Sequence, residues 1–262
     1  MGNRMWAMLN IIGFAKETQQ IVIISHDYFQ EYLLNFEDLT YRILKEQKVF
    51  FLNKWIYKII TNKYIHKIIT LLKILSKQRL KLSFTNSWNI DSKYAQKYTN
   101  DLRVIFKPTQ KICQEVELLF DIFDKEKLII GVHIRRGDYQ HWKSGKYYYA
   151  LDVYAKFMKE ISETINGKIL FYLFSNEDIS DYDFGVDCFF KPNTEAVFDI
   201  WAMSKCNYLI GPPSTFSMFA SFWNRTPIHF IYDKDQKFKI ENFQHIVAQN
   251  VFANEKRLLD LD

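Results

Sequence analysis

Three cysteines in 262 residues, Cys113, Cys188 and Cys206, are too few and too widely spaced for a disulfide scaffold or a metal site. Their odd number suits a reducing compartment. Glycine (8) and proline (5) are also scarce, and no low-complexity linker or internal repeat interrupts the chain. No uninterrupted apolar run reaches the roughly 18–20 residues of a membrane span. The start, Met1-Gly2-Asn3-Arg4-Met5-Trp6, lacks the charged, apolar and small-residue regions of a signal peptide. With 48% hydrophobic and 25% charged residues the chain is neither disordered nor fibrous. Its length suits one large domain or two small ones. Phenylalanine (23) and tyrosine (16) are abundant, a bias from which no function follows.

The net charge of +5 is too mild to point to nucleic acid by itself. It is unevenly placed, since nine Lys/Arg and no acid lie between Glu46 and Asp91. Residues 54–81 read as a cationic helix or helix pair, with Trp55, Ile59, Ile60, Ile69 and Leu72 along one stripe. Such a helix packs on its apolar side and offers a basic face to solvent or to an anionic membrane. Stacking and groove-reading motifs are absent from the C-terminal half, so nucleic acid is not an expected partner.

Apolar spacing predicts a helix over 4–20, a short buried strand at Gln20–Ser25, and another helix over 108–127. The pattern then changes. Apolar runs at 128–133, 168–174, 208–210 and 228–232 read as buried parallel strands. Between them, 149–164, 194–204 and 214–223 read as helices. Strand and helix alternate as in a doubly wound α/β domain, and the expected division of the chain is 1–125 and 126–262.

The densest chemical signal is His133-Ile134-Arg135-Arg136-Gly137-Asp138-Tyr139, at the carboxyl end of the first of these strands. Ligands bind at that edge of open α/β sheets. Guanidinium forks match phosphate oxygens. Strand alternation places His133 and Arg135 on one face, and Arg136 with Asp138 on the other. A salt-bridged surface turn would have the same sequence. A second signal, Gly211-Pro212-Pro213-Ser214-Thr215-Phe216-Ser217, follows another strand and opens a helix, where N–H groups and the dipole favour phosphate. Ordinary capping alone explains its hydroxyls, but beside two arginines the phosphate reading is the better one. Asp199, on the helix before that strand, and Phe174-Ser175-Asn176-Glu177-Asp178, past another, supply further polar groups. The matches to an Asp-x-Asp metal motif at Asp181/Asp183 and Asp233/Asp235 lie in polar loops and read as chance. Asp138, His141 and Glu195 are the titratable candidates for a catalytic base.

These pieces, in this order, resemble the α-1,2-fucosyltransferase family within the GT-B fucosyltransferase superfamily. The matching stretches are HIRRGDY at 133–139, FSNED at 174–178, D-x-x-x-M-S-x-C at 199–206 and STFS at 214–217. Gly2-Asn3-Arg4-Met5 is similar to that family's Gly-Asn-Gln-Met loop, with Arg4 replacing Gln and without the strand that precedes the loop in the family. Phe219 and Ser221 stand where the family often has Trp and Gly.

The resemblance implies a GT-B-like α/β fold, with two doubly wound halves facing across a cleft and the first N-terminal strand missing. Residues 1–125 would form the acceptor side and 126–262 the donor side. It implies an inverting, metal-independent transferase moving fucose from GDP-fucose to a sugar hydroxyl, galactose in α-1,2 linkage, of a surface glycan or its precursor. No cofactor or metal is expected. Arg135 would contact the donor's β-phosphate. Ser214, Thr215 and Phe216 would hold diphosphate and nucleoside, and Asn3, His133, Arg136, Ser175, Asn176 and Asp199 would complete the donor site. Arg135 and Asp138 are the residues expected to carry catalysis. A transferase of the same fold with another nucleotide sugar, or a catalytically silent nucleotide- or sugar-binding protein, are the alternatives. The expected location is cytoplasmic, peripheral at the inner face of the membrane through residues 54–81.

Overall fold

The computed structural model describes residues 2–18, 21–24, 41–43, 81–84 and 93–248. They fall into two compact units, one of Asn3–Thr109 with Ala248, the other of Gln110–Val247 with Gly2.

In the N-terminal unit, helix α1 (Gly2–Thr18) leads to a parallel sheet of β1 (Ile21–Ile24), β2 (Tyr41–Ile43) and β3 (Lys81–Phe84) in the order β2-β1-β3. Met5, Met8, Leu9 and Ile12 recur at helical spacing and are buried with Trp6. The helix begins two residues before the periodic stretch, so Gly2-Asn3-Arg4-Met5 is its first turn rather than the loop that the resemblance implies. Two short helices follow, α2 (Lys93–Lys97) and α3 (Thr99–Ile105). Ion pairs Lys16–Asp101 at 3.0 Å and Lys97–Glu17 at 2.6 Å tie them to the end of α1. Of the basic stretch 54–81, only Lys81 is described, and it opens β3. The rest lies outside the described residues.

The C-terminal unit is built on a five-stranded parallel sheet in the order β6-β5-β4-β7-β8. Its elements in chain order are α4 (Gln110–Asp121), β4 (Leu128–Ile134), α5 (Leu151–Thr164), β5 (Ile169–Ser175) and β6 (Cys188–Phe190). Then come α6 (Ala196–Lys205), β7 (Tyr208–Gly211), α7 (Thr215–Asn224) and β8 (Ile228–Phe230). Each strand and helix expected between 128 and 232 is present. β6 is an additional edge strand, too short at three residues to carry a periodic signal. Helix α4 stops at Asp121, short of the expected 127, and groups with this sheet.

Burial on both faces explains why the central strands read as unbroken apolar runs. From β4 and β5, Ile130, Val132, Ile134, Phe171 and Leu173 pack in one cluster with Tyr154, Phe157, Met158 and Ile161 of α5. The alternate residues of β4 face α6 and α7. Gly131 lies against Cys206 and Leu209, and the His133 ring stacks on Phe216. Helices α6 and α7 pack together, and their carboxyl ends share a buried polar network. Thr226 Oγ1–H and an Asn224 amide N–H donate to the Ser204 carbonyl at 2.9 and 2.7 Å. Fully buried Ser221, where a glycine stands in the resembling family, donates its hydroxyl proton to the Thr226 carbonyl at 2.6 Å. Ser221→Ala removes that donor without adding bulk at a fully buried position. It is expected to destabilise the protein by about 1–3 kcal/mol, read as a lower urea midpoint at unchanged slope.

Candidate functional site

The strand order defines a switch point. From β4 the chain runs outward through β5 and β6, then returns past β4 to add β7 and β8 on the other side. The connections leave β4 and β7 in opposite directions, which opens a crevice beyond their carboxyl ends. The two strands approach closely there. A Cβ on Gly211 would lie 2.6 Å from the His133 carbonyl oxygen, so only glycine lets β7 run this near β4.

The two stretches singled out in the sequence meet at this crevice. His133 is buried and stacks on half-buried Phe216, with ring centroids 5.4 Å apart and planes 29° apart. Burial and the nearby Arg135 charge hold its imidazole down to about 3, so it is neutral at physiological pH. Its Nδ1 has no hydrogen-bond partner. Ser214 caps α7, its Oγ accepting the Phe216 N–H at 3.3 Å. Thr215 and Phe216 in the first turn are half-exposed. The two loops are stitched together by buried Tyr139, whose hydroxyl donates to the Pro213 carbonyl at 2.7 Å. Burial pushes this phenol up to about 12.

The arginines divide their tasks in a way that strand alternation does not anticipate. Strand β4 ends at Ile134, and Gly137–Gln140 forms a 3-10 turn. This turn carries Asp138 back to Arg135, not to Arg136. Arg135 Nη2 lies 2.8 and 3.0 Å from the two Asp138 carboxylate oxygens. Both side chains are partly open to solvent, at 34% and 63%, and the guanidinium sits 5.7 Å from the Tyr139 ring centroid. An exposed pair of this kind is worth under about 1 kcal/mol, so an anion can displace it. Arg136 is held on more sides. Its Nε pairs with Glu177 Oε2 at 3.0 Å, its Nη2–H donates to Tyr148 Oη at 2.9 Å, and its guanidinium lies over the Tyr148 ring.

At the ends of β5 and β6, Ser175, Asn176, Glu177, Asp178, Phe190, Pro192, Asn193 and Thr194 line a polar cleft of about 190 Å³. Asn176 Oδ1 accepts the Arg136 backbone N–H at 3.0 Å, and Ser175 Oγ accepts that of Glu177 at 3.1 Å. Asp199 sits in the first turn of α6. Burial pushes its carboxyl up to about 6, against smaller opposing effects of the Thr194 hydroxyl and Lys191. Asn3 is exposed in the first turn of α1, in the other unit. Of the base candidates, Asp138, His141 and Glu195 are all exposed. Asp183 and Asp233 use one carboxylate oxygen each to accept the N–H of Gly185 and Asp235 within their own turns. Among the described residues no three His, Cys, Asp or Glu side chains converge on one point, and no helix is long and apolar enough to cross a membrane. Glu177 and Tyr148 are partners that the sequence reading left unassigned. Glu177 lies within the quoted FSNED stretch, but no spacing rule links either residue to Arg136.

Three buried groups set an acid-side stability profile. His133 and His229, the latter held down to about 4 by burial, are neutral when folded and take up protons on unfolding below about 6.5. The stability they lend is full above 6.5 and drains away as the pH falls. Asp199 acts oppositely. Between about 4 and 6 the folded chain holds a proton that the unfolded chain releases, so its contribution grows as the pH falls. Two histidines outweigh one aspartate, and stability is expected to decline from pH 6.5 to 4. Asp199→Asn steepens that decline by about 1.4 kcal/mol per pH unit, measured by urea unfolding across the interval.

No protein-family model matches the sequence, and no curated protein matches it. Solved structures do match. The NodZ α-1,6-fucosyltransferase soaked with GDP-fucose aligns over 94% of this chain and 94% of its own, with a TM-score of 0.56 at 16% identity. Fucosyltransferase NodZ from Bradyrhizobium aligns over 87% and 91%, also at 0.56 and 16%. A mutant of Arabidopsis thaliana FUT1 in complex with GDP aligns over 95% of this chain and 72% of its own, with a TM-score of 0.58 at 9% identity. The chain therefore has the GT-B-like α/β fold that these fucosyltransferase structures share.

Proposed function

We propose that this protein is a glycosyltransferase that moves fucose from GDP-fucose to a sugar hydroxyl, with inversion and without a metal ion. One observation carries this reading. A partly exposed arginine and the amino end of a ten-residue helix converge on the switch-point crevice, in a fold whose solved examples include GDP-fucose and GDP complexes. Sequence resemblance supplies the finer expectation of galactose as acceptor, α-1,2 linkage and a surface glycan or its precursor as the product.

In the reaction the acceptor oxygen bonds to the anomeric carbon as the bond from that carbon to the β-phosphate oxygen breaks. GDP leaves with the electron pair, and the acceptor proton passes to a base. Negative charge grows on the β-phosphate. In this reading Arg135 and the partial positive charge at the start of α7 stabilise it, taking the place of a metal. Asp138 orients Arg135 before the donor arrives, and Arg136 supports the turn from behind. Neutral His133, Phe216, Ser214, Thr215, Ser175, Asn176 and Asp199 line the nucleoside and diphosphate path, Asn3 is a further donor-site residue, and the N-terminal unit serves the acceptor side.

Calorimetry without metal tests the donor. GDP and GDP-fucose are expected to bind more tightly than GDP-mannose or UDP-galactose. Arg135→Ala should weaken GDP by about ten- to a hundredfold, the loss of a hydrogen-bonded ionic contact. Preference for UDP-galactose would point instead to another nucleotide sugar. Binding without any transfer would point to a catalytically silent binding protein. The reading also includes a cytoplasmic location, with the Lys-rich stretch 54–81 contacting anionic lipid. Co-sedimentation with vesicles containing phosphatidylglycerol, lost at high salt and absent with phosphatidylcholine alone, is the expected outcome.

A further inference from the structure

We propose that Glu177 is a positioning residue that shapes the two-arginine turn for diphosphate binding without itself touching the donor. The proposal rests on the donor reading above.

Glu177 is half-buried just past the end of β5, and its two carboxylate oxygens hold consecutive residues of the loop after β4. Oε1 accepts the Gly137 backbone N–H at 2.9 Å, and Oε2 pairs with Arg136 Nε at 3.0 Å. Its neighbour Asn176 accepts the Arg136 backbone N–H at 3.0 Å. The turn held this way requires a glycine. Gly137 has φ +58, and a Cβ there would lie 2.6 Å from Asn176 Nδ2. The left-handed glycine, the close approach of Asn176 and the two-point Glu177 carboxylate thus meet in one turn.

The clamp has two consequences for charge. It sets a half-buried carboxylate against the Arg136 charge at Nε, and Tyr148 takes one Nη2 proton, so the Arg136 charge is already compensated from inside the protein. It also fixes the point where the chain leaves β4, and with it the direction of Arg135. Arg135 itself carries only the exchangeable, exposed Asp138 pair and a contact with the Tyr139 ring. Tyr139 anchors the same turn from the β7 side through Pro213. Arg135 is therefore the guanidinium left for a phosphate, and Glu177 is the group that keeps it aimed.

The test combines a ligand-free readout with a ligand-dependent one, on the full chain. Hydrogen–deuterium exchange in the absence of nucleotide follows residues 135–139 in wild type, Glu177→Ala and Glu177→Gln. Calorimetry follows GDP binding by the same three proteins. Glu177→Ala is expected to raise exchange in that segment alone and to weaken GDP by about tenfold or more. Glu177→Gln keeps an acceptor for the Gly137 N–H but loses the Arg136 ion pair, so it should fall between the two. Unchanged exchange in Glu177→Ala overturns the clamp, as does a rise throughout the protein, which marks general destabilisation. Raised local exchange with GDP affinity held within about twofold overturns the positioning role. Failure of wild type to bind GDP overturns the donor reading and this role with it, and the exchange arm shows separately whether the clamp exists.

Discussion

The close approach of β7 to β4 at the switch point is the constraint on which the site depends. Two parallel strands can run side by side to their carboxyl ends and still send their connections apart. The crevice is then bounded by whatever residues the chain places in the first few positions beyond each strand. Here those positions are Arg135 to Tyr139 on one side and Pro212 to Phe216 on the other. Gly211 lets the strands meet at His133, and the Tyr139–Pro213 hydrogen bond closes the arrangement. Without that contact, an arginine turn and a capped helix would be separate surface features.

Charge at the crevice is arranged by burial more than by number. Two adjacent arginines would repel if both were free in one small space. Glu177 and Tyr148 absorb one of them, and solvent-exposed Asp138 balances the other. His133 is kept neutral by burial and by Arg135, so it adds an aromatic surface beside Phe216 without adding charge. The two arginines and two carboxylates cancel at rest, and an anion that displaces the exposed Asp138 meets the Arg135 guanidinium next to the positive end of a helix, the pattern suited to a diphosphate.

Much of the C-terminal unit was legible in the sequence. Its strands are buried on both faces and therefore stand out as apolar runs, α5 carries helical spacing, and α7 opens on a serine cap. Less legible were β6, three residues of an edge strand next to polar loops, and the first turn of α1, which resembles a loop motif. Ser221 illustrates a different limit. A serine in place of a small apolar residue reads as a packing fault, yet its hydroxyl finds the Thr226 carbonyl five residues on. A hydrogen bond that depends on how a helix ends has no signature in spacing.

What the amino-acid sequence determined by itself was the order of elements and the placing of Arg135, Ser214, Thr215 and Phe216 beyond strand ends, because periodicity and capping are local. The tertiary structure alone decided which arginine is held by a half-buried carboxylate and which carries only an exposed pair. Alternation predicts that Arg136 and Asp138 share a face, but alternation ends with the strand at Ile134. Beyond it, a 3-10 turn pairs Asp138 with Arg135, and a glutamate just past the end of β5 claims Arg136. That partnership exists because β5 lies beside β4 in register, with Ser175 opposite Ile134, and pairing between distant segments is a property of the folded sheet rather than of any one stretch of chain.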